Sequence, residues 1–169
     1  KLDQAMVQED YQRALTLLKP EEYGPRNEVL YHLDRGTILQ VSGEFTESTG
    51  EFDAADKKME ELYTISITKE AASFVVNDNT KPYEGEDFEK ALVNAFQALN
   101  YIWKGELDEA LVECRRVNTK LGILNQKYQR KNVYREDAFV RYLAGILYEA
   151  QGEDNDAYIS YKKALASYR

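Results

Sequence analysis

The residues best placed for chemistry lie in the string Ala110-Leu111-Val112-Glu113-Cys114-Arg115-Arg116-Val117-Asn118. Glu113 and Arg116 are three apart, so on a helix they share a face and can pair. Such a pair, together with Tyr83, could clamp the Tyr83–Glu89 loop, hold a ligand carboxylate, or be an ordinary ion pair on a solvated face. The structural clamp is the reading preferred here. Cys114 is the one cysteine and His32 the one histidine. No histidine stands in register to activate the thiol, and no Ser-His-Asp spacing is present, so a buried inert thiol and a surface or satisfied imidazole are expected. Asp53, Asp56 and Glu60 share helical spacing, as do Glu47 and Glu51; solvated acidic faces explain them more simply than a cation site. Asn77-Asp78-Asn79 lacks the Gly and distal Glu of a calcium loop. No Gly-rich phosphate loop occurs. No catalytic, cofactor-binding or metal-ligating set is therefore assigned, and a non-enzymatic role is expected.

The elements that must position these residues follow from composition and spacing. The chain has 169 residues, with 22 Lys and Arg against 30 Asp and Glu, a formal charge of −8. It is long enough for one domain with a real core. An acidic chain without a basic stretch is a poor nucleic-acid binder. No apolar run approaches the roughly 20 residues of a membrane span.

A pattern recurs around three turns. Gly43, Gly105 and Gly152 are each followed five residues later by a small residue (Ser48, Ala110, Ala157) and nine later by Phe52, Cys114 or Tyr161. Twelve later come Ala55, Val117 and Ala164. Seven before each turn stand Gly36, Ala98 and Gly145, and four before stand Leu39, Tyr101 and Tyr148. Glu9 heads a fainter copy, with Tyr11, Ala14 and Leu18. Glu9 and Gly43 are 34 residues apart; the next two intervals exceed 34 by 28 and by 13. The unit is that of a helical hairpin: Gly ends one helix, acidic residues favour the start of the next, and small residues admit close approach.

Helices are expected near 3–18, 27–42, 45–63, 86–104, 107–130, 134–151 and 154–168, with the larger insertion at 64–85. Within it, helix is expected to continue to about Val76, before turn chemistry at Asn77-Asp78-Asn79, Pro82 and Gly85. Pro20 and the residues after it should break the first helix from the second, and Asn132 should mark another break.

This pattern resembles the tetratricopeptide repeat (TPR), best seen in Gly145, Tyr148, Ala157, Tyr161 and Ala164. It departs in lacking the Trp that often opens the unit and the Pro that often closes it. The resemblance implies an all-α, right-handed stack of antiparallel hairpins of about seven helices. It would form one domain over 1–169, with units at about 1–22, 27–63, 86–130 and 134–169. The strings Pro82-Tyr83-Glu84-Gly85-Glu86-Asp87-Phe88-Glu89 and Ala98-Leu99-Asn100-Tyr101, and the run from Asn155 to Ala164, also resemble a family of uncharacterised bacterial TPR-containing proteins, often predicted lipoproteins. That kinship implies a periplasm-facing envelope location, with an acylated Cys upstream of Lys1. Composition by itself leaves the cytoplasm equally open.

In TPR-like stacking the first helix of each hairpin lines a concave groove. The residues expected to meet a partner there are Leu33, Gln40, Leu99, Ile102, Trp103, Tyr142 and Glu149, with Phe139 a further exposed aromatic. The expected occupant is a peptide or helix of another protein, partly apolar and, given the charge, basic in part. The competing expectation is a structural or self-associating subunit whose groove is filled by its own insertion.

Overall fold

The structure, a computed structural model, describes residues 1–71, 81–128 and 137–168. Among them nine helices and no strand occur. The fold is all-α.

Two compact units divide the chain, Lys1–Glu86 and Asp87–Arg169. The first holds α1 (Leu2–Val7), α2 (Tyr11–Leu17), α3 (Pro20–Tyr23), α4 (Glu28–Val41) and α5 (Phe45–Ala71). The second holds α6 (Asp87–Lys104), α7 (Leu107–Lys127), α8 (Ala138–Ala150) and α9 (Asp154–Ser167). Within the units, α4 pairs with α5, α6 with α7 and α8 with α9, and α7 also packs on α8.

The hairpin turns share one hydrogen-bond pattern. The amides of Gly43, Gly105 and Gly152 reach back three residues, to the carbonyls of Gln40, Ile102 and Glu149 at 3.0–3.1 Å. The next amides, of Glu44, Glu106 and Glu153, reach back five, to Leu39, Tyr101 and Tyr148 at 2.8–2.9 Å. This paired bonding satisfies the last carbonyls of the first helix and requires positive φ at its hinge. The three glycines have φ of 77–86°. Glu9 has φ 56° and makes the same two bonds, from its own amide to Met6 and from Asp10 to Ala5. The faint first copy is thus a fourth turn of the same kind, built without glycine.

The small residues form the seam of each pair. Ser48, Ala110, Ala157 and Ala14 are all buried. A Cβ added to Gly36 would lie 2.8 Å from the Phe52 ring, and one added to Gly145 would lie 2.5 Å from the Tyr161 ring. In the middle hairpin Ala98 already has its Cβ, and the matching position is the smaller Cys114. Bulk on one helix is balanced by its absence on the other. Ser48 Oγ closes its seam by donating to the Gly36 carbonyl at 2.8 Å.

Two details differ from the sequence expectation. The first helix, expected over 3–18, is two helices, because the left-handed Glu9 interrupts it. The break after Pro20 contains a single helical turn, α3, with proline at its first position, where no amide is needed. These two account for nine helices in place of seven. Helix does continue past Tyr63, to Ala71, and α7 runs to Lys127. The expected helix end near Val76, the Asn77–Asn79 turn and the Asn132 break lie outside the described residues. Gly85 does turn, with φ 78°, over the Met59 side chain.

Candidate functional site

In the second unit the first helix of each hairpin buries one face and leaves an apolar stripe on the other. On α6, Ala91, Ala95 and Ala98 go to the core, while Phe88, Leu92, Phe96 and Trp103 are exposed, Trp103 by 71%. On α8, Val140, Leu143, Ala144 and Leu147 are buried, and Phe139, Tyr142 and Ile146 stand out, Tyr142 by 50%. The i, i+4, i+8 spacing of Phe88, Leu92 and Phe96, with Trp103 at i+15, and the i, i+3, i+7 spacing on α8 put each set on one face.

The expected contact residues fall into three environments. Trp103, Tyr142 and Glu149 are exposed. Leu99 and Ile102 are half-buried against the core of the second unit, so they support the stripe more than they present it. Leu33 and Gln40 are half-buried on α4, in the first unit.

Glu113 and Arg116 pair as their spacing predicts, at 3.0 Å. The surroundings of Glu113 are not a solvated face. It is buried, and its second oxygen accepts from Asn94 Nδ2 on α6 at 2.7 Å. The same Asn94 nitrogen donates to Gln97 at 3.0 Å, and Asn100 lies buried one turn on. A polar cluster is therefore enclosed between α6 and α7. The signal for it was available in the polar spacing of Asn94, Gln97 and Asn100 within an otherwise apolar helix face. Tyr83 belongs to the first unit, where its amide donates to the Arg26 carbonyl at 2.8 Å.

Cys114 is buried in the seam, and burial pushes its thiol up to about 12. A thiol so placed stays protonated and is a poor nucleophile. His32 Nδ1 lies 2.7 Å from Glu51, which also accepts from Arg35 Nε at 2.8 Å. Glu51 is thus tied into an interhelical ion-pair cluster joining α4 and α5.

The α8–α9 hairpin also carries a surface pocket of about 380 Å³, lined by Tyr142, Tyr161, Ala164, Leu165 and Tyr168. Tyr161 donates its hydroxyl proton to Glu149 at 2.5 Å, and that bond raises its pKa to about 12. The repeat frame assigns Tyr161 to packing alone and passes over Tyr168. The available signal is the i, i+4, i+7 spacing of Tyr161, Leu165 and Tyr168, a second stripe on the face beside the seam.

Acidity is divided unevenly between the units. Residues 1–86 carry 18 acidic and 9 basic side chains, a net −9, and residues 87–169 carry 12 and 13, a net +1. None of the described helices is long and apolar enough to cross a membrane. No family model matches the chain, and no curated protein matches it.

Proposed function

We propose that this chain is a non-enzymatic, TPR-like interaction scaffold that receives an apolar peptide or helix of another protein. The observation carrying this reading is the pair of exposed apolar stripes on α6 and α8. Large aromatic side chains at regular helical spacing, exposed together, are the usual mark of an interaction surface. Trp103 and Tyr142 are the anchor residues, and the exposed Glu149 supplies a polar edge. The formal charge of −8 over the whole chain favours, at long range, a partner that is basic in part. The burial of Cys114 supports a role without covalent thiol chemistry. A bacterial envelope location, with a lipid anchor upstream of Lys1, is part of the same proposal and rests on the sequence resemblance.

The test is site-specific photo-crosslinking in cells. A photoreactive residue at Trp103 or Tyr142 should trap one discrete adduct, while the same residue at Lys162, on the adjoining hairpin helix, should not. Trp103→Ala and Tyr142→Ala should each weaken binding of the trapped protein roughly tenfold or more, as hot-spot truncations do. Equal, diffuse crosslinking from all three sites would defeat the proposal.

A further inference from the structure

The pocket on the α8–α9 hairpin has features that a general apolar docking face does not require. Three of its five lining residues are tyrosines, one from α8 and two from the α9 segment. The Tyr142 and Tyr161 ring centroids are 5.6 Å apart, with planes inclined by 46°. Rings so inclined are not stacked, and Tyr168 adds a third aromatic side chain to the lining. Ala164 keeps the floor low, because a larger side chain there would fill the space. The pocket is open to solvent and has a volume of about 380 Å³, room for a small cationic headgroup.

The electrostatics favour a cation. The face of an aromatic ring is negative, and several faces directed at one point attract positive charge. Tyr161 donates its hydroxyl proton to the Glu149 carboxylate, which makes that ring more electron-rich. No cationic side chain lines the pocket among the described residues. The lining is almost wholly apolar carbon, so it offers a metal ion or a primary ammonium few acceptors to replace its water. A methylated ammonium is weakly hydrated, needs no hydrogen bond, and presents a positive apolar surface.

We propose that the Tyr142–Tyr161–Tyr168 pocket binds a trimethylammonium group, carried by a free choline-like cation or by a lipid headgroup. This site is separate in chemistry from the protein-binding stripes, although Tyr142 contributes to both.

The test is proton NMR of choline titrated into the full chain. The N-methyl line should move upfield and broaden, because ring currents shield a group held over aromatic faces. Dimethylbutanol, the neutral carbon isostere of choline, should bind at least roughly fivefold more weakly, since it keeps the shape and loses the cation–π attraction. Tyr142→Leu and Tyr168→Leu should each weaken choline binding by roughly two- to fivefold. Tyr161 is left intact because its ring also packs on Gly145. Circular dichroism checks that the variants fold; should Tyr142→Leu fail, Tyr168→Leu decides, since Tyr168 is exposed at the end of α9. Co-sedimentation with phosphatidylcholine vesicles, but not phosphatidylglycerol vesicles, and competition by choline would assign the lipid source; choline binding without sedimentation would assign the free cation. The proposal is overturned if choline shows no N-methyl shift, if the neutral isostere binds as well, or if Tyr168→Leu leaves choline binding unchanged.

Discussion

Adding one methyl group at four glycines should separate the seam from the rest of the helix surface. Gly36, Gly50, Gly122 and Gly145 all lie inside helices, in α4, α5, α7 and α8. Gly→Ala inside a helix gains about 0.8–1 kcal/mol from backbone propensity alone. At Gly50 and Gly122 the added Cβ meets nothing within 4 Å, so both substitutions should stabilise the chain by up to about 1 kcal/mol. At Gly36 it would sit 2.8 Å from two atoms of the Phe52 ring, and Phe52 is buried. Overpacking of this kind costs about 1–3 kcal/mol, which cancels the propensity gain and leaves a net loss of up to about 2 kcal/mol. Gly145 is closer still, 2.5 Å from the Tyr161 ring, and that ring is held by Glu149 and Tyr142. Urea denaturation followed by far-ultraviolet circular dichroism reads all four. Combining Gly36→Ala with Phe52→Leu should recover part of the loss, a coupling that independent sites would not show. Stabilisation by Gly36→Ala and Gly145→Ala, equal to that by Gly50→Ala, would show that neither ring packs against its glycine.

Three other perturbations test separate parts of the structure. Glu9→Gly should leave stability unchanged or raise it by up to about 1 kcal/mol, because Glu9 occupies left-handed backbone, whereas Gly105→Ala should cost about 1 kcal/mol at the equivalent hinge; chemical denaturation of both variants checks this. Glu113→Leu should cost about 1–3 kcal/mol, because the buried Asn94 amide loses an acceptor, and adding Asn94→Leu should restore part of it; a double-mutant cycle by denaturation measures the recovery. The Tyr161 hydroxyl, raised from the ordinary 10.0 to about 12 by its bond to Glu149, should titrate late. A folded value above the unfolded one means that the bond's contribution is complete below pH 10 and lost as pH rises through 12. Ultraviolet difference titration of wild type against Tyr161→Phe should show that late step, and Glu149→Gln should move it down towards 10; a Tyr161 step at 10 in the wild type would contradict the assignment.

The hairpins were legible because their constraints are local and repeat. A left-handed hinge asks for Gly, a close seam asks for Gly, Ala or Ser, and both recur at fixed offsets from Gly43, Gly105 and Gly152. Even Glu9 could be aligned by its neighbours, although its residue type hides the turn and so conceals the split between α1 and α2. Pro20 could be read as a break, but not as the start of a helical turn, since proline serves both purposes. The exposed aromatics were legible in part. Trp103 and Tyr142 stand out, as helical spacing suggests, whereas Leu99 and Ile102 share that spacing and lean on the core, because a helix face grades continuously from buried to exposed. The partnership of Glu113 with Asn94 was not legible: it joins residues 19 apart across two helices, and only the relative rotation of α6 and α7 brings them together. The pocket was obscured for a related reason. Tyr161 serves the seam and the surface at once, and a repeat pattern reports only the first role.

That small residues seat the facing rings in the α4–α5 and α8–α9 hairpins can be read from the Hα protons of the helical glycines. In the folded chain those of Gly36 and Gly145 should be shifted upfield and show nuclear Overhauser contacts to the rings of Phe52 and Tyr161. Those of Gly50 and Gly122 should show neither. Ordinary shifts and no ring contacts at Gly36 and Gly145 would contradict the account.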